Sequence, residues 1–96
     1  MTITQKVKLA LRISHTMLDD EISDVIKSAR LEMIRAGVSQ TVAEGSSELV
    51  ETAIKTYALA YFCGNLTDAE KYTESFKYQL DNIRKSDNVG GGGEDV

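Results

Sequence analysis

The sequence predicts an all-α protein, a small bundle of about four helices followed by a disordered Gly-rich C-terminal tail. Three observations carry this. No proline occurs in 96 residues, so no ring removes an N–H donor or clashes with the preceding turn inside a helix. Apolar residues recur at spacings of three and four along most of the chain, the period of a helix with one buried face. No stretch of useful length alternates apolar and polar residues as a half-buried strand does.

The elements follow in order. A short amphipathic helix covers about Thr4 to Arg12, with Ile3, Val7, Ala10 and Leu11 facing inward. The second runs from about Leu18 to Ala36 on a stripe of Leu18, Ile22, Val25, Ile26, Ala29 and Met33. Thr16 is its candidate N-cap, with Asp19 three residues on and Asp20 and Glu21 in the first turn. Carboxylates there accept free backbone N–H groups and meet the positive end of the helix dipole. Gly37 closes the helix after Arg35 and Ala36, as a glycine at the left-handed position does. Residues 38–47 are small and polar and read as a loop. The third helix starts at Ser46 or Ser47 and runs to about Phe62, with Val50, Ala53, Ile54, Tyr57 and Tyr61 on one face. From Tyr57 to Cys63 every residue is apolar or aromatic, which makes this the central helix, covered on nearly all sides and ended by Gly64. Thr67 opens the fourth helix, with Glu70 as its capping-box partner. Its stripe is Ala69, Tyr72, Phe76, Leu80 and Ile83, fading at Lys85. Four consecutive glycines at 90–93 then cost too much backbone entropy to order without a partner. The chain therefore divides into a helical body, residues 1–85, and a flexible acidic tail, residues 86–96.

Charge and chemistry narrow the function classes. The net charge is −4. Residues 86–96 hold Asp87, Glu94 and Asp95 and no base, so the body is close to neutral. Such a body argues against sequence-independent nucleic-acid binding, which needs a basic face to displace counterions. One cysteine allows no internal disulfide and no Cys-rich zinc site, and it suits a reducing cytoplasm. No apolar run of 18 residues and no signal-peptide core occurs, so no membrane partner is expected. His15, the one histidine, lies in a connector and reads as a solvated turn residue. Cys63 closes an apolar helix and reads as an inert small hydrophobe. The acids Asp19, Asp20, Glu21 and Asp24 start a helix and lack the Gly-centred spacing of a calcium loop. Asn65-Leu66-Thr67 matches a glycosylation sequon by accident. The glycines at 90–93 lack the Lys and Ser/Thr of a phosphate loop. No catalytic residue, cofactor or metal site is assigned, and an enzyme is not expected.

What remains points outward. Leu31 falls opposite the second helix's stripe, with Ile34 beside it and Lys27 and Arg35 flanking. Tyr78 falls about 180° from Phe76 at 100° per residue, among Lys71, Glu74, Asp81 and Lys85. Apolar anchors inside a charged rim describe a subunit interface. A body of this size buries only about 60–65% of its unfolded surface, a physical reason for assembly.

Two stretches carry a family resemblance. Lys8-Leu-Ala-Leu-Arg-Ile-Ser-His15 followed by Asp19-Asp-Glu-Ile-Ser-Asp-Val-Ile-Lys-Ser-Ala-Arg30 resembles the opening of the small head–tail connector proteins of tailed bacteriophages. Ala53-Ile-Lys-Thr-Tyr-Ala-Leu-Ala-Tyr-Phe62 is similar to that family's central apolar helix. The likeness covers roughly residues 5–84 in order and spacing. It departs at Ser14-His15-Thr16-Met17, where the family often has an acidic turn, and in the Gly-rich tail. The resemblance implies a structural protein that forms a homo-oligomeric ring under the phage portal protein. It extends the DNA channel and offers a docking surface to the next head-completion or tail protein. DNA passes through without sequence-specific binding. The protein then sits in the bacterial host cytoplasm during assembly and later at the head–tail junction of the virion. On this reading the subunit contacts use Lys27, Leu31, Ile34, Arg35 and Tyr78. The tail residues Asp87, Asn88, Val89, Glu94, Asp95 and Val96 dock on the portal. The competing reading is a small helical DNA-binding or regulatory module, whose recognition helix needs several exposed Lys, Arg, Asn or Gln side chains.

Overall fold

The computed structural model describes the backbone of residues 1–92 and the side chains of residues 1–86. Five helices follow one another: α1 (Ile3–Leu11), α2 (Asp19–Arg35), α3 (Gln40–Ala43), α4 (Glu48–Tyr61) and α5 (Leu66–Gly92). The four long ones are those the apolar spacing predicts, and the all-α class holds.

Local chemistry sets the ends, in places differently from expectation. The Thr2 hydroxyl accepts from Gln5 N–H while the Gln5 side chain accepts from Thr2 N–H, a complete capping box for α1. For α2 the N-cap is Leu18, without a side-chain cap, and Thr16 supplies only its carbonyl to Asp19 N–H at 3.2 Å. The first-turn acids Asp19, Asp20 and Glu21 complement the dipole directly, so the missing hydroxyl cap is tolerated. The expected 38–47 loop contains one helical turn, α3. Ser39 Oγ accepts from Val42 N–H, and the turn carries Ala43 into the core beside buried Val38. Ser47, of the two serines considered, caps α4 by accepting from Val50 N–H. The Thr67–Glu70 capping box does not form. Asn65 caps α5 instead: its Oδ1 accepts from Asp68 N–H at 2.8 Å and its Nδ2 donates to the Asp68 carboxylate at 3.0 Å. Starting two residues earlier places Leu66 in the first turn.

Two helices end in the same device. At α2, Gly37 at φ 107° lets its own N–H reach Ile34 O while Val38 N–H reaches Met33 O. At α1, Arg12 takes the left-handed position at φ 60°, with Arg12 N–H on Leu9 O and Ile13 N–H on Lys8 O. Both are Schellman closures, which satisfy terminal carbonyls that would otherwise lack donors. Gly64, expected to end the central helix, has no left-handed backbone and open space around it; α4 stops earlier, at Tyr61.

The core is one cluster in which Val7, Ile22, Met33, Val50 and Ile54 are fully buried. Every member of the α2 stripe from Ile22 to Met33 is buried, as are Phe76, Leu80 and Ile83 of α5. Each such aliphatic side chain contributes about 1.5–3 kcal/mol relative to exposure. Helix α4 is central: α1, α2 and α5 all pack on it, and Tyr57 meets the Phe76 ring edge-on at 5.0 Å. Its C-terminal end is less covered than its apolar run suggests. Tyr61 is 57% exposed, whereas the next residue, Phe62, packs against the core cluster.

Polar ties hold the periphery. Lys6 pairs with Glu51 at 2.6 Å, joining α1 to α4, and Lys8 pairs with the shielded Oδ1 of Asp19 at 2.7 Å, joining α1 to α2. Arg30 donates to the carbonyls of Ala43 and Gly45 and so fixes α3. Arg84 donates to Ala36 O, and its stem lies over Gly37. The molecule measures 47 × 29 × 18 Å. The long axis matches α5, which at 1.5 Å per residue is about 40 Å long. That helix continues past Lys85, where the sequence stripe fades, to Gly92, so the backbone of residues 86–92 of the expected tail is helical; residues 93–96 lie outside the described residues.

Candidate assembly surfaces

Leu31 and Tyr78 are exposed at 60% and 69%. Each points away from the core on its own helix, because the opposite side of that helix is buried against α4. No hydrogen bond, ion pair or ring contact joins the two. Lys27 is also exposed. Ile34 is not a free anchor: it is partly buried and packs against the core cluster. The cause is geometric, since position 34 follows Met33 by 100° and shares its flank. Arg35 is exposed, but its Nη1 donates to Glu32 Oε2 at 2.9 Å within α2. Exposed pairs of this kind contribute about 0–1 kcal/mol, so the guanidinium is readily redirected. The side chains of Asp87, Asn88, Val89, Glu94, Asp95 and Val96 lie outside those described.

The structure adds exposed apolar residues not expected to face outward: Leu9, Met17, Leu49, Leu66, and Tyr61, which the third helix's stripe places on the buried face. Leu9 was findable, because it stands off the Ile3–Val7–Leu11 stripe. Leu66 and Met17 lie at helix approaches, where periodicity is silent. Exposed Leu9 and half-buried Ile13 both line two shallow grooves of about 480 and 580 Å³ at the C-terminal end of α1. Arg12, at the left-handed position, sits on the same edge.

A second corner is acidic and aromatic. Glu21 and, more weakly, Asp24 act on the exposed Tyr61 phenol: hydrogen bonding to Glu21, then the Glu21 charge, hold it above its ordinary pKa. Phe62 meets the Tyr61 ring edge-on at 5.0 Å. On the other side of the molecule, Leu49, Thr52, Gln79 and Asn82 line a groove of about 250 Å³ between α4 and α5. There Gln79 Nε2 donates to Ser75, while its shielded Oε1 has no protein partner.

Cationic side chains on α2 are largely committed to the fold. Arg30 is fastened to the α3 carbonyls and Arg35 to Glu32, which leaves Lys27 as the one free cation on α2 among the described residues. His15 is exposed, and its Nδ1 accepts from Met17 N–H in a tight turn. Cys63 is half-buried. Among the described residues no three His, Cys, Asp or Glu side chains converge as a metal site, and no helix is long and apolar enough to cross a membrane. No protein-family model matches the chain, and neither does any curated protein or solved structure.

Proposed function

We propose that this protein is a structural, non-catalytic connector of a tailed bacteriophage, which assembles as a ring beneath the portal and offers a surface to the next head-completion or tail protein. The observation that carries the reading is the pair of outward anchors, Leu31 and Tyr78, each more than half exposed within a charged surround on a body with a small core. The resemblance of residues 5–84 to the connector family supplies the identity of the partners. The virion location follows from the same resemblance. The near-neutral body agrees with a conduit, since a basic lumen would hold DNA by counterion release rather than let it slide.

The DNA-binding alternative requires a strongly basic recognition helix, and the exposed cations of α2 are Lys27 and Arg35, the latter paired with Glu32. Two measurements separate the readings. On the connector reading, the protein co-sediments with the portal protein encoded in the same gene cluster and does not shift duplex DNA. A salt-sensitive duplex shift without portal association contradicts it.

A further inference from the structure

We propose that the α1 edge formed by Leu9 and Arg12, over the half-buried Ile13, is the docking surface for a second copy of this chain, which presents its Tyr61 corner. The inference rests on the ring reading and adds to it a second contact between copies, distinct from Leu31 and Tyr78. Three observations lead to it.

The charge is segregated along the chain. Residues 1–18 contain Lys6, Lys8 and Arg12 and no acid, whereas Asp19, Asp20, Glu21 and Asp24 follow within six residues. Lys6 and Lys8 are consumed inside the subunit by Glu51 and Asp19. Arg12 has no side-chain partner among the described residues. At the other corner, Glu21 and Asp24 are both exposed, and neither carries an ion pair to a cation among the described residues.

The apolar parts match as well as the charges. Leu9, 67% exposed, lines two shallow grooves, a shape that receives apolar side chains. The opposing corner is apolar and exposed: Tyr61 is 57% exposed at the end of α4, and Leu66 is 74% exposed at the start of α5. Apolar centres framed by opposite charges meet the compositional pattern of a specific interface.

Arg12 also occupies the left-handed region, where a side chain costs about 1 kcal/mol that glycine does not incur. The same closure on α2 uses Gly37. A residue kept in a costly conformation, with its charge unsatisfied within the subunit, is a functional candidate. The two patches are different surfaces, so their contact is heterologous. Repetition then generates a ring when the rotation closes.

The test is a charge-swap cycle read by mass photometry and sedimentation, with circular dichroism reporting helix content. Arg12→Glu and Asp24→Lys singly are each expected to raise the concentration of half-assembly about tenfold, and the double variant to restore it. Leu9→Asp, at an exposed site that leaves the monomer folded, is expected to raise it about a hundredfold. Wild-type protein that assembles while all three single variants assemble equally well overturns this interface and leaves the ring reading standing. Wild-type protein that stays monomeric at every concentration overturns both.

Discussion

At the scale of single residues, Arg12 and Gly37 make an informative pair. They close two helices by the same hydrogen-bond pattern, yet only one is the residue that the backbone favours. Arg12→Gly is expected to raise stability by about 0.5–1 kcal/mol in a denaturant melt, because relief of the left-handed conformation outweighs the added freedom of the unfolded chain. The same variant is expected to assemble less well, the usual trade between stability and function. Unchanged or lower stability contradicts the strain assigned to this position. Tyr61 gives a second residue-scale outcome. The hydrogen bond to Glu21, then the Glu21 charge, hold its phenol above the ordinary range. A group with a raised folded pKa contributes stability that is present below its unfolded pKa and is lost as pH rises through the folded value. An ultraviolet titration of the four tyrosines is therefore expected to show one ionising late. Glu21→Gln should bring that one back toward the rest. A late phase that persists in the Gln variant assigns the shift to another cause.

At the scale of elements, periodicity was a strong guide and end chemistry a weak one. The Ile22–Met33 stripe could be read directly because burial repeats with the helix and every turn restates it. Caps depend on a single hydrogen bond, and the sequence near α5 contains two plausible arrangements. Thr67–Glu70 has the right spacing, but Asn65 supplies the cap through its two hydrogen bonds with Asp68. Asn65→Ala is accordingly expected to cost about 0.5–2 kcal/mol, whereas Thr67→Ala should stay within about 0.5 kcal/mol. The reverse order in thermal melts would return the cap to Thr67. Helix α3 was hidden for a different reason. Its single turn is too short for a period and is held by Arg30 from another element, a tertiary contact with no local signal. The surfaces were legible in part. Leu31 and Tyr78 stood out as residues opposite a stripe, while Ile34 is drawn into the core by its neighbour Met33. The Tyr61 corner was masked because an aromatic residue on an apolar face reads as core even where it is exposed.

At the scale of the whole molecule, a small core, an 18 Å thin body and several outward apolar side chains are the features on which the proposed assembly rests. Exposed anchors of this kind are costly in isolation and useful in an assembly, where their burial adds to the limited stability of each copy. The two candidate patches differ in charge sign, which favours contact between unlike surfaces and disfavours a symmetric dimer through either one. Rim charges act strongly on association rate and weaken with salt, so assembly by this route should become slower as ionic strength rises while the helix content stays constant. The most direct test is the mass distribution of the purified protein across a concentration series at low salt. A closed ring predicts two dominant species, the monomer and one oligomer of fixed stoichiometry, with the oligomer gaining at the expense of the monomer. A monomer that persists at every concentration, or a ladder of dimers and open aggregates without a preferred size, would contradict it.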